Sequence, residues 1–127
     1  MNSQCAVEYT YLEDMNILLR SFSGRVTIND IIASWDEVIN DKLVRENCVG
    51  VVSDFSICEL LIKKKELALF VEYFDSKLDF FINLKLAPII HSPKIALTVI
   101  FEQMYHKVQL KAFSTIEAAT EWIQSEV

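Results

Sequence analysis

Along this chain the spacing of apolar residues switches repeatedly between a period of two and a helical period. That switching constrains the fold more than any other feature of the sequence. Residues 6–12 alternate, with Val7, Tyr9 and Tyr11 on one face and Glu8 and Thr10 on the other, as a half-buried strand does. The polar turn Glu13-Asp14-Met15-Asn16 leads into a second strand over 17–23, rich in Ile, Leu and Phe. So short a connection predicts an antiparallel hairpin. Gly24 then breaks the pattern. Ile28, Ile31, Ile32, Trp35, Val38, Ile39 and Leu43 form one helical stripe. Thr27 and Asp30 stand where a capping box belongs, so the first helix is expected over about 28–44.

The alternation continues to the end of the chain. Residues 49–55, β-branched and apolar, read as a buried strand. Residues 57–63 are ambiguous. Either Ser56 and Glu59 cap an immediate helix, or an irregular segment precedes a helix starting near Lys64; the second is preferred, although three lysines in its first turn oppose the helix dipole at a cost of about tenths of a kcal/mol each. The helix that follows is widely apolar, with Leu67, Phe70, Val71, Phe74, Leu78, Phe81 and Ile82 as its stripe and Leu69, Tyr73 and Phe80 widening it. Residues 86–90 read as a fourth strand in which Pro88 implies a strand start, a bulge or a place near an edge. His91-Ser92-Pro93 makes a turn before a third helix over 95–105. Residues 107–113 alternate cleanly, and Ser114 to Glu117 reads as a capping box for a last helix with Ile116, Ala119, Trp122 and Ile123 inward. The order β-β-α-β-α-β-α-β-α predicts an α/β fold: a five-stranded mixed sheet with its first strand antiparallel, right-handed crossovers and four helices.

At 127 residues the chain suits a single domain over 1–127 with one core. A net charge of −6 argues against a nucleic-acid partner, which needs a basic surface. The run Lys63-Lys64-Lys65 reads as a solvated helix start, or as an anion contact. Cys5, Cys48 and Cys58 show no metal-ligand spacing and read as free thiols of a reducing compartment. No signal peptide and no membrane span is expected, which points to a cytoplasmic protein. No Gly-rich phosphate loop fits a chain whose glycines are Gly24 and Gly50 alone, and no cofactor or metal site is implied.

Ligands of open α/β sheets favour the carboxyl ends of parallel strands. Here that edge would hold Asp54, Ser56, His91, Ser92 and Ser114, the best candidate for a polar binding site. These residue types also suit a hydrolase triad, but no Gly-x-Ser-x-Gly elbow is present. Ser92 and Ser114 have sufficient roles as helix caps, and Asp54 as an acceptor for backbone N–H groups.

Four stretches, FSGRVTINDI, GVVSDFS, SPKIA and AFSTIEAATEWI, together resemble the SpoIIAA-like (STAS-like) superfamily, in particular an uncharacterised bacterial branch related to CRAL-TRIO-type lipid carriers. The resemblance spans nearly the whole chain. It implies a right-handed β-α superhelix with consecutive strands side by side and the helices largely on one face. Regulatory STAS domains are non-enzymatic, bind a kinase partner and carry a phosphorylatable Ser or Thr where the helix after the third strand starts. The nearest position here is Ser56. Where those domains read Asp-Ser-Ser/Thr-Gly, this chain reads Ser56-Ile57-Cys58-Glu59, so serine phosphorylation is not expected.

The resulting expectation is a non-catalytic binding or regulatory module, with a protein partner and a homodimer formed through its apolar helices. The alternative is a carrier of a lipid or other apolar small molecule in a pocket lined by Phe70, Tyr73, Phe74, Phe80 and Phe81.

Overall fold

A computed structural model describes residues 4–91 and 93–125 of the chain. Strands β1 (Ala6–Leu12) and β2 (Ile17–Val26) form the expected antiparallel hairpin, with Leu12 paired to Ile17 across the turn. Helix α1 (Ile28–Asn40), β3 (Gly50–Leu60), helices α2 (Leu67–Ser76) and α3 (Leu78–Phe81), β4 (Lys85–Ile89), α4 (Ile95–Met104), β5 (Gln109–Leu110) and α5 (Ile116–Gln124) follow. The five strands lie in chain order in one sheet, and every pairing after the first is parallel.

Each face of the sheet is covered. On one, Leu18, Phe22, Val51, Phe55, Leu86 and Ile90 meet α1 through α4 in the larger core. On the other, Ile17, Val52, Ala87 and Ile89 meet Ala119 and Ile123 of α5 in the smaller one. Gly50 permits this second packing: a Cβ there would lie 2.5 Å from Ile123 Cγ2 and 2.7 Å from the Lys85 carbonyl oxygen. Lys85 Nζ donates to the Trp122 and Ser125 carbonyls at 3.0 and 2.7 Å. It thereby places a cation at the α5 C-terminus, where the helix dipole favours one.

Several boundaries differ from the sequence expectation. The α1 capping box forms as read, with Asp30 N–H donating to Thr27 Oγ1 and Thr27 N–H to Asp30 Oδ2. The helix nevertheless stops at Asn40, short of 44. Lys42 takes a left-handed conformation (φ 54°), and the Leu43 and Lys42 N–H groups bond the Val38 and Ile39 carbonyls at 3.0 and 3.3 Å. This is a Schellman ending with lysine where glycine is usual. Gly24 does not end β2; at φ 80° it is held within the strand. β3 correspondingly runs past Phe55 to Leu60, which pairs with Val26. Residues 57–60 are therefore strand, and neither helical nor irregular.

The long second helix is divided at Lys77 (φ −124°, ψ 27°). There the Ser76 hydroxyl donates to the Tyr73 carbonyl at 2.7 Å, a side-chain bond that competes with the helical ladder. β5 shrinks to Gln109–Leu110. Lys111 N–H reaches the Leu86 carbonyl and Phe113 N–H the Pro88 carbonyl, at 3.0 and 2.9 Å. The rung between them needs an N–H that Pro88 lacks. Finally, Thr115 and not Ser114 caps α5, accepting from Ala118 N–H at 3.1 Å.

Candidate functional site

Residues of β2 alternate between the two cores, so Leu18, Arg20 and Phe22 all point toward α1 through α4. Parallel register sets Arg20 beside Ser53 of β3, and Ser53 beside Pro88 of β4. A guanidinium thus sits in the middle of the sheet face, with its residue only 1% exposed. No carboxylate pairs with it: the ion pairs among the described residues join Arg25 to Glu59, Arg45 to Glu13 and Lys107 to Asp75.

Weaker partners hold Arg20. Its Nε donates to Ser53 Oγ at 3.0 Å and its Nη1 to Ser34 Oγ at 2.9 Å. The guanidinium lies 3.7 Å from the Trp35 ring centroid and 4.9 Å from that of Phe22, within cation–π range. Tyr9 Oη donates to Glu37 Oε1 at 2.6 Å and lies 2.9 Å from Ser34 Oγ. Because a phenol has one proton, Ser34 must be the donor to Tyr9. Every donor in this chain points the same way, from the buried cation through Ser34 and Tyr9 to a carboxylate on the surface. Burial pulls the Arg20 pKa below its ordinary range, and the neighbouring Tyr9 and Tyr73 oppose that shift. Burial, followed by the bond to Glu37, pushes Tyr9 up to about 12.

Arg20 and Ser53 form the polar floor of a cavity of about 90 Å³ between the sheet and the helices. Trp35, Phe55, Phe70 and Phe101 supply apolar walls, and Lys94 and Thr98 also line it. Lys94 Nζ is engaged with the Ile62 carbonyl at 3.3 Å, so Arg20 is the buried cation of the site.

The aromatic side chains singled out from the sequence divide. Phe70 and Phe74 line the cavity. Phe81, fully buried, packs edge-on against Trp35, Phe74 and Phe80. Tyr73 ties α2 to α1 through a 2.6 Å bond to Asp36 Oδ1. The described residues of the polar edge lie at or near the end of the β3–β4 pairing, each with its own partner. Asp54 accepts the Ser56 N–H at 2.9 Å, at the point where the β2–β3 register shifts. Ser56 therefore sits half-buried inside β3 and does not open a helix. His91 is exposed at the end of β4, its Nε2 3.2 Å from the Ser114 carbonyl oxygen, and makes no bond to Asp54. Ser92 lies outside the described residues. Cys5, Cys48 and Cys58 are free, and burial pushes the Cys58 thiol up to about 11, away from reactivity. Among the described residues no acidic, His or Cys cluster could hold a metal, and no helix is long and apolar enough to cross a membrane.

The residues that sequence reading missed are Arg20, Ser34 and Ser53. Arg20 carried a signal: a lone charge at an inward position of an apolar strand, two residues from both Leu18 and Phe22.

No protein-family model matches the chain, and no curated protein matches it. Among solved structures it is similar to an uncharacterized protein of the DUF3478 family with a SpoIIAA-like fold, from Shewanella loihica PV-4. The TM-score is 0.59 at 15% identity, covering 97% of this chain and 96% of that one. It is also similar to the Bacillus cell fate determinant SpoIIAA in its phosphorylated form, with a TM-score of 0.48 and 12% identity over 93% of this chain and 99% of that one. The architecture is a SpoIIAA-like α/β fold.

Proposed function

We propose that this chain is a non-catalytic binding module whose helix-covered sheet face takes a small, mainly apolar molecule. The observation that carries the reading is the cavity itself. Between the sheet and the helices a partly open cleft of about 90 Å³ reaches down to Arg20. A pocket of apolar walls with a few placed polar groups is the usual form of a small-molecule site. The volume favours a short ligand over a long-chain lipid. Asp54 and His91 each bond elsewhere, to the Ser56 N–H and beside the Ser114 carbonyl, which leaves a hydrolytic pairing without support.

A protein partner is a second reading, and it rests on a different surface. Leu67, Ala68, Ile100 and Met104 form an apolar groove between α2 and α4, beside Lys64 and Lys65. Leu69, Val99 and Met104 are each more than two-fifths exposed. Such a surface suits a second copy of the chain or another protein.

Native mass spectrometry of the freshly purified protein, combined with thermal shifts across a panel of small acids, alcohols and amides, separates the two readings. A small molecule released on denaturation, or a saturable shift with panel members, supports the cavity. A ligand-free spectrum with no shift from any panel member overturns it.

A further inference from the structure

The chemistry of the cavity floor restricts what it can hold. A guanidinium carries five N–H donors, and the described residues accept from Nε and Nη1 alone. Nη2 has no acceptor among the described residues and is not sealed from water, so it faces the cavity. Ser53 Oγ accepts from Arg20, and its own proton has no acceptor among the described residues. Ser34 is different, because its proton is committed to Tyr9. Two unspent donors therefore sit side by side on β2 and β3 at the bottom of an apolar cavity, one of them cationic. A buried charge without a counter-ion is costly. The chain of bonds to Glu37 reaches only the Nη1 side of the guanidinium.

We propose that the cavity is a site for a small monoanion with an apolar body, a short-chain carboxylate, whose head group bonds Arg20 and Ser53 and whose hydrocarbon lies against Phe55, Phe70 and Phe101. This rests on the reading of the cavity as a small-molecule site. Arg20, the buried cation at the floor, matches one negative charge, and Lys94, half-buried in the same lining, adds positive potential. A carboxylate offers two acceptor oxygens in the planar geometry a guanidinium prefers. About 90 Å³ takes the head group and the first carbons of such a ligand, and because the cavity is partly open a short tail of butyrate length can extend toward its mouth.

Isothermal titration calorimetry of the full chain tests the assignment, with butyrate, 1-butanol, n-butylamine and inorganic phosphate as probes. Butyrate is expected to bind at least about tenfold more tightly than 1-butanol, the ratio set by a buried charge-assisted hydrogen bond. Butylamine and phosphate are expected to give no heat. Arg20→Met should abolish the preference of butyrate over butanol while butanol still binds. Ser53→Ala, which removes one hydroxyl and keeps the cation, should weaken butyrate several-fold with butanol unchanged. Equal affinity for butyrate and butanol overturns the anion site and leaves the cavity reading intact. No binding by any probe overturns both. Butyrate binding unaffected by either substitution places the anion elsewhere and overturns the proposal.

Discussion

The Arg20 guanidinium lies 3.7 Å from the centroid of the Trp35 ring. Trp35 comes from α1 and Arg20 from β2, so the contact joins the helical layer to the centre of the sheet. With Phe22 nearby and two serine acceptors, the indole gives the cation a polarisable bed in place of a carboxylate. Replacing a buried charge by an apolar side chain of similar length is commonly neutral or stabilising. Arg20→Met is therefore expected to hold or raise the unfolding free energy, by about 1 kcal/mol. Arg20→Ala enlarges the void and is expected to cost about 2 kcal/mol. Urea unfolding of both variants measures this. A large loss in Arg20→Met would show the cation to be a structural necessity.

Lys42 closes α1 in the left-handed region, at φ 54°, which disfavours a side chain by roughly 1–2 kcal/mol. Glycine carries no such penalty but makes the unfolded chain more flexible. Lys42→Gly is expected to stabilise by about 0.5–1 kcal/mol, read as a higher urea midpoint at unchanged slope.

Gly50 is where β3 passes beneath α5. Gly50→Ala would drive a methyl against Ile123 and the Lys85 carbonyl, and the carbonyl belongs to a paired strand that cannot readily move. The expected cost is about 1–3 kcal/mol. Ile123→Ala, which removes the Cγ2 and Cδ1 atoms that obstruct the new methyl, is expected to lessen that cost in a double-mutant cycle.

Asp75 accepts the Tyr105 hydroxyl at 2.8 Å and lies 3.4 Å from Lys107 Nζ. The tyrosine bond first, then the lysine, holds its carboxyl below the ordinary value. The folded state therefore favours the ionised form. The resulting stabilisation is complete above the unfolded pKa, near 4, and is lost as pH falls through the lower folded value. Asp75→Asn should lower stability by a constant amount between about pH 5 and 7, with the gap closing below about pH 4. Urea midpoints across that range test it, and a gap that widens on acidification would contradict it.

Much of the fold was legible because each strand and helix advertises its own period. Thr27 and Asp30 mark the start of α1, and the alternation of β1 survives intact. The errors came where a neighbouring strand or a single hydrogen bond outweighs local pattern. Gly24 looked like a stop and is carried within β2, paired across to Cys58. Pro88 trims β5 from a distance of more than twenty residues, which no local pattern reveals. Of the candidate site, Phe70 and Phe74 were found because a wide apolar helix face draws the eye. Ser53 and Ser34 were not, because a serine on a strand or helix gains meaning only when register sets it beside Arg20. The polar edge of Asp54, Ser56 and His91 was inferred from strand ends; a bulge and a longer β3 keep Ser56 within the strand, where a helix start was read.

The most direct test of a buried anion site is anomalous diffraction from crystals of the full chain soaked in sodium bromide. The predicted result is an anomalous peak inside the cavity, within hydrogen-bond distance of Arg20 Nη2 and Ser53 Oγ, and absent from Arg20→Met. Bromide found only at surface lysines, with the cavity floor empty beside an intact Arg20, would contradict the account.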